Sequence, residues 1–288
     1  MAIFGRLATA MVTPFDQQLN IDFEKTERLI EHLLATGTET LVVSGTTGES
    51  PTLSGSEKLE LFRHVTRYVN GRCKVVAGTG SNDTAASIDF TKAAEATGVD
   101  GVMFVAPYYS KTSQEGLYQH FKALAEATKL PVMLYNVPGR TAVNMTAETT
   151  LKLAEISNVV CIKEASGNLS QMAKIIEHAP EGFELYSGDD GLTLPVLTIG
   201  GVGVVSVASH LVGTEMTQMI NAFVNGNTTE AARLHRKLLP VFEGIFAYPS
   251  PTPTKAALEK LGVPVGGVRL PLVDLNEEEK AFVYSLLS

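Results

Sequence analysis

Short apolar runs rich in β-branched residues recur along the first two thirds of the chain. Most are apolar at every position, as expected for parallel strands that are covered on both faces. Eight such runs predict eight strands, at residues 7–12, 40–44, 74–77, 101–106, 131–135, 159–163, 183–186 and 203–207.

The segments between these runs carry the amphipathic period of helices and have recognisable helix ends. Asp22 is placed to cap a helix over 23–36, and Ser54 with Glu57 forms the S-x-x-E pattern of a capping box. From about residue 214 to the end of the chain the pattern predicts only helices, interrupted by a proline-rich break at 248–253.

Alternation of strands and helices predicts an α/β fold with a parallel sheet. Segments 33–45 and 94–107 repeat one order: helix end, glycine, polar step, apolar strand. Eight such units favour a closed (β/α)8 barrel, although a doubly wound open sheet remains an alternative. We therefore predict a barrel over residues 1–224 and a C-terminal helical domain over 225–288.

Composition and charge narrow the functional class. The net charge of −8 argues against nucleic-acid binding, and no apolar run is long enough to predict a membrane span. Cys73 and Cys161 are the only cysteines, too few for a disulfide framework, so we expect a cytoplasmic protein. The six histidines are scattered without metal-ligand spacing, and no dinucleotide-binding pattern occurs, so we expect neither a metal site nor a nicotinamide cofactor.

Lys163 is the strongest candidate for chemistry, because it ends the apolar sixth run, VVCIK. Desolvation lowers the pKa of a lysine, and the neutral amine is the form that attacks a ketone to give an imine. Barrel enzymes have their active sites at this end of the strands. The alternative is a structural lysine that reaches solvent or pairs with a carboxylate.

Polar groups follow several other strands. Tyr135 could transfer protons, and Arg140, in YNVPGRT, could bind a carboxylate, unless the segment is only a turn. The loop GTTGES offers Thr46 and Thr47 as hydroxyl groups for anion binding or proton relay, and Tyr109 belongs to an aromatic pair that suggests a site or an interface.

Glycines after strands seven and eight permit close approach of a small ligand. Gly188 lies in SGDD, and Gly200, Gly201 and Gly203 surround the start of the eighth strand. Barrels often bind phosphate here, so a phosphosugar enzyme is an alternative, weakened by the lack of an adjacent lysine or arginine. We interpret Asp189 and Asp190 as caps of the next helix.

Taken together, these motifs resemble one family. GTTGES, PYY, YNVPGRT, IKEASG and SGDD, in this order and at these strand ends over roughly 210 residues, are similar to the pyruvate-dependent class I aldolase/lyase family. The resemblance is greatest to the branch that condenses pyruvate with L-aspartate 4-semialdehyde on the route to diaminopimelate and lysine. It implies a barrel, no metal or organic cofactor, and a homotetramer built as a dimer of dimers.

The resemblance also implies a role for each candidate residue. Lys163 would form the imine with pyruvate, and Tyr135 would donate and accept protons. Thr46 and Tyr109 would complete a proton relay, with Tyr109 supplied by a neighbouring subunit. The remaining residues would bind substrate: the pyruvate carboxylate at Thr47, Gly188 and Val205, and the carboxylate of the semialdehyde at Arg140.

Regulation and the second substrate are further expectations. Lysine-inhibited members of the family carry histidines and a glutamate where this chain has Gly55, Lys58 and Ala86, so we expect weak or absent inhibition by lysine. Related lyases that act on N-acetylneuraminate or keto-deoxy sugar acids are the main alternative. A barrel that binds keto acids without converting them is another.

Overall fold

A computed structural model describes residues 2–287 of the chain. Eight parallel strands form a closed barrel in sequence order, and the first strand pairs with both the second and the eighth. The predicted barrel is confirmed, and an open sheet is excluded by the pairing of Ala8 with both Thr40 and Val205. The strands are β1 Leu7–Ala10, β2 Thr40–Val43, β3 Lys74–Gly78, β4 Gly101–Val105, β5 Val132–Asn136, β6 Val159–Glu164, β7 Glu184–Ser187 and β8 Gly203–Ser206.

Helices connect the strands and surround the barrel. Asp22 caps the first helix by accepting a hydrogen bond from the backbone N–H of Lys25, and Ser54 with Glu57 forms the predicted capping box of the second. The helices are α1 Phe23–Ala35, α2 Gly55–Val69, α3 Thr84–Glu95, α4 Gln114–Glu126, α5 Pro138–Thr141, α6 Ala147–Ala154, α7 Leu169–His178, α8 Thr193–Thr198, α9 Ser209–Val224, α10 Thr228–Gly244, α11 Thr252–Lys260 and α12 Glu277–Ser285.

The core has an inner and an outer part, because successive side chains of a strand point to opposite faces. Val42, Met103, Met133 and Cys161 belong to a buried cluster inside the barrel. Intervening strand residues, such as Leu134, pack against the surrounding helices in separate clusters. Full burial of both strand faces explains why the sequence runs are apolar throughout.

The C-terminal region is not wholly helical, so that prediction was wrong over residues 263–276. This segment has no regular secondary structure between α11 and α12. Gly262 and Gly266 adopt positive φ angles of 80° and 74°, and Pro264 and Pro271 cannot donate the backbone hydrogen bonds of a helix. The predicted break at 248–253 does separate α10 from α11.

The division at residue 224 coincides with the end of α9. Leu234 and Leu238 of α10 belong to the same buried cluster as Met216 and Met219 of α9 and the inner barrel residues. The C-terminal helices therefore pack on the barrel through a continuous core, and the two-domain division remains a proposal. No helix within residues 2–287 is both long enough and apolar enough to cross a membrane.

Candidate active site

Lys163 and Tyr135 lie side by side inside the barrel at the carboxyl ends of their strands. The two residues are direct partners in the register of β5 and β6. The ammonium nitrogen Nζ of Lys163 lies 4.2 Å from the centre of the Tyr135 ring, and both side chains are buried. Burial favours the uncharged form of an amine, so this pair provides the environment that imine chemistry needs.

The pKa of Lys163 is lowered from 10.5 to about 8, chiefly by burial. The negative charge of Asp190 raises this pKa, whereas the positive charge of Arg140 lowers it. Burial also raises the pKa of Tyr135, with Arg140 and the Thr46 side chain acting in the opposite direction. At neutral pH the tyrosine is therefore a protonated donor, and a fraction of the lysine is a free nucleophile.

A cleft of about 250 Å³ opens beside this pair. Thr46, Tyr135 and Arg140 line it together with Tyr108 and Lys58. Arg140 stands on α5, a single helical turn that begins at Pro138, whose ring restricts φ to the helical value. The guanidinium is solvent-exposed and free to meet an anionic ligand.

The loop after β2 holds the two threonines in a series of tight turns. The backbone N–H of Glu49 donates to the carbonyl of Thr46, and the hydroxyl of Thr13 donates to the carbonyl of Gly48 at 2.7 Å. At Gly78, the end of β3, a Cβ atom would lie 2.4 Å from the carbonyl oxygen of Ser44. Only glycine permits this close approach, which sets one wall of the cleft.

Glu49 anchors the same loop to the C-terminal region. Its φ angle is positive, and its buried carboxylate forms an ion pair with Lys255 of α11 at 2.6 Å. The backbone N–H of Arg269 donates to the other carboxylate oxygen at 2.9 Å. Lys255 also donates to the carbonyl of Gly267 at 2.7 Å, so the irregular segment 263–276 closes over the GTTGES loop.

Of the other predicted site residues, Gly188, Thr47 and Val205 are at or near the barrel interior, whereas Tyr109 is at the surface. Gly188 lies directly against Lys163, because a Cβ atom at Gly188 would be 3.1 Å from Cγ of the lysine. Thr47 is buried in its loop, and Val205 belongs to the inner barrel cluster with Tyr135. Tyr109 is not brought to the cleft: it is 89% exposed and has a φ angle of 76°.

Asp190 is a buried acid that sequence reasoning misread. Asp189 does cap the following turn, but Asp190 accepts hydrogen bonds from Ser206 and from the backbone N–H groups of Val207 and Ala208. It thus joins the end of β7 to the end of β8, and its negative charge raises the pKa of Lys163. No local pattern reveals this, since its partners lie sixteen to eighteen positions away.

Comparison with known proteins places the chain in a family. The sequence profile of the dihydrodipicolinate synthetase family matches residues 3–288. The 4-hydroxy-tetrahydrodipicolinate synthase of Bacillus subtilis is 58% identical over 286 residues, covering 99% of both chains. A synthase of Halalkalibacterium halodurans is 59% identical over 276 residues, covering 96% of this chain and 94% of that one.

Solved structures agree with this grouping. Dihydrodipicolinate synthase DapA-2 from Bacillus anthracis superposes with a TM-score of 0.98 at 56% identity, covering 100% of this chain and 98% of that one. The enzyme from Cyanidioschyzon merolae with lysine bound superposes with a TM-score of 0.97 at 49% identity, with the same coverage. On this combined match of sequence, barrel and motif order, the chain belongs to the dihydrodipicolinate synthetase family.

Proposed function

We propose that this protein condenses pyruvate with L-aspartate 4-semialdehyde to 4-hydroxy-tetrahydrodipicolinate, in the biosynthesis of diaminopimelate and lysine. The observation that carries the proposal is the buried Lys163, with its lowered pKa, beside the Tyr135 ring. The relatives' name gives the product, 4-hydroxy-tetrahydrodipicolinate, and the family resemblance implies the two substrates. Arg140 in the cleft supplies a cation for a second carboxylate.

In the first half of the reaction, the neutral amine of Lys163 attacks C2 of pyruvate. The resulting carbinolamine loses its hydroxyl as water and leaves a protonated imine. Tyr135, kept protonated by burial, donates the proton that this departure needs. Thr47, Gly188 and Val205 form the pocket for the pyruvate carboxylate in this scheme.

In the second half, the imine withdraws electrons and makes the pyruvate methyl group acidic. Loss of a methyl proton gives an enamine, whose carbon attacks the aldehyde to form the new carbon–carbon bond. The amino group of the semialdehyde then attacks C2 and expels Lys163, closing the ring. Tyr135 exchanges protons through Thr46 and Tyr109, and Arg140 binds the semialdehyde carboxylate.

The scheme needs neither metal nor organic cofactor, because the lysine imine is itself the electron sink. We also propose a homotetramer, a dimer of dimers, in which Tyr109 enters the cleft of a neighbouring subunit. The exposure of Tyr109 in the single chain supports this. A cytoplasmic location is supported by Cys73 and Cys161, both buried free thiols.

Borohydride trapping tests the proposal. We expect incubation with pyruvate and then borohydride to add one reduced pyruvate unit to Lys163, located by mass spectrometry of the digested protein. Lys58→Met is the matched control, because Lys58 lines the cleft but lies outside the barrel interior. An unmodified Lys163 would refute the mechanism. Turnover of N-acetylmannosamine or glyceraldehyde in preference to aspartate semialdehyde would refute the second substrate.

A further inference from the structure

Glu164 is a buried carboxylate directly behind the reactive pair. In the register of β5 and β6, the pair Tyr135–Lys163 is followed by the pair Asn136–Glu164. Since side chains alternate along a strand, Asn136 and Glu164 point to the outer face of the barrel, toward the helices. Both are completely buried.

The Glu164 carboxylate is held only by neutral donors. Asn136 Nδ2 donates to it at 3.0 Å, Gln171 Nε2 donates at 2.9 Å, and the backbone N–H of Ser166 donates at 2.7 Å. Within residues 2–287, no lysine, arginine or histidine forms an ion pair with it. Both side-chain oxygens of Glu164 therefore act as acceptors, and every partner is a neutral N–H group.

Asn136, Glu164 and Gln171 form a hydrogen-bonded cluster that also binds the segment that carries Arg140. Asn144 and Met145, which close that segment, are both bonded to the cluster. The backbone N–H of Met145 donates to Asn136 Oδ1 at 3.0 Å, and Asn144 Nδ2 donates to Gln171 Oε1 at 2.9 Å. The segment therefore leaves the barrel at Asn136 and returns to the same point eight residues later.

A carboxylate determines how these amides are oriented. The Glu164 oxygens accept every hydrogen bond that they form, so Asn136 and Gln171 both turn their NH₂ groups toward Glu164. Their carbonyl oxygens then necessarily face the other way, where they accept from Met145 and Asn144. An amide at position 164 would present a donor to two donors, and one partner would have to rotate.

We infer that Glu164 is a positioning residue for the second substrate: through Asn136, Gln171 and Asn144 it fixes the segment that carries Arg140. This inference rests on the proposed function, in which Arg140 binds the semialdehyde carboxylate. Glu164 itself points away from the barrel interior and does not take part in imine formation.

Steady-state kinetics of Glu164→Gln test the inference. We expect the KM for aspartate semialdehyde to rise about tenfold or more, the loss expected when a charge-assisted contact is misplaced. Measured at about pH 10, where Lys163 is neutral whether or not Arg140 is in place, the KM for pyruvate and the rate of borohydride-trapped imine formation stay within about twofold. Asn158→Ala is the control, since it removes side-chain hydrogen bonds to the carbonyls of Ala125 and Thr128 at the amino end of β6, away from the reactive pair.

Asn144→Ala is the second variant, in case Glu164→Gln folds poorly. It detaches the Arg140 segment from Gln171 without altering either catalytic strand, and we expect the same selective rise in KM for the semialdehyde. The inference is overturned if either folded variant leaves that KM within about twofold of the wild type, or weakens imine formation to the same extent. The wild type is measured in parallel. If borohydride traps no pyruvate on Lys163 of the wild type, the proposed function is refuted and the role of Glu164 is not the cause.

Discussion

Replacing Arg140 with methionine removes the positive charge that helps to keep the Lys163 amine neutral. Burial lowers the pKa of Lys163 from 10.5 to about 8, and Arg140 contributes to this lowering. At pH 7 a pKa of about 8 leaves about one lysine in ten neutral, whereas a pKa of 10.5 would leave about one in three thousand. The site thus gains roughly 300-fold in reactive amine over an exposed lysine.

The assay is the rate of imine formation with pyruvate alone, quenched with borohydride between about pH 6 and pH 10. We expect the rate to rise with pH and to level off above a midpoint near 8, the pKa of Lys163. In Arg140→Met the midpoint moves upward, since a lost positive charge makes protonation easier. In Asp190→Asn it moves downward, because a negative charge that raises the pKa is gone. Each shift should be about one unit or less.

The two substitutions check each other, because their expected shifts have opposite signs. A general loosening of the barrel would expose Lys163 and move both midpoints upward, toward the value for a lysine in water. Shifts in the same direction would therefore refute the electrostatic reasoning. So would a wild-type midpoint near 10.5, which would mean that burial does not lower the pKa.

Four further predictions concern stability, packing and regulation. Lys163→Met should raise the free energy of unfolding in urea at pH 7 by up to about 3 kcal/mol at fixed protein concentration. The unfolded lysine binds its proton more tightly than the folded one, so this gain should vanish as pH rises from about 8 to 10.5; a gain that persists at high pH contradicts the reasoning. Gly188→Ala places a Cβ atom 2.7 Å from Cβ of Ala165 and 3.1 Å from Cγ of Lys163, so the segment around the lysine must shift, and kcat/KM should fall by about 100-fold or more; near-normal turnover would show that the pocket adapts. Lys255→Met should cost about 3–5 kcal/mol by leaving the Glu49 charge buried alone, and adding Glu49→Gln should restore most of it; a double variant no more stable than the single one refutes the pairing. Free lysine should inhibit turnover weakly or not at all, and inhibition at low-micromolar to low-millimolar concentration would overturn this expectation.

The elements of the fold were predictable from the sequence because the signals are local. All eight apolar runs became strands, with ends that differ by one or two residues, and the caps at Asp22 and Ser54 are as predicted. Such features depend on residues within one turn or one strand, which a linear pattern reveals. The placement of Lys163 at the carboxyl end of β6 followed from the same reasoning.

The polar contacts around the site could not be predicted in this way. Glu164 reads as one more residue at a strand end, and only the register of β5 and β6 shows that it lies behind Tyr135 and Lys163. Asp190 was interpreted as a helix cap because its actual partners lie far along the chain, at the end of β8 and just after it. In segment 263–276 the helix-breaking Pro264, Gly266 and Pro271 are local signals that the sequence does show, whereas the contact of Arg269 with the distant loop at Glu49 could not be predicted from it.

The ion pair between Glu49 and Lys255 can form only late in protein synthesis, because its two residues lie far apart along the chain. The ribosome adds the lysine more than two hundred residues after the glutamate, at a delay of roughly 10–40 seconds. During that interval Glu49 lacks its ion-pair partner, so the contact that ties the GTTGES loop to the C-terminal region cannot form. A nascent chain can assemble its eight strands and still lack a finished substrate pocket.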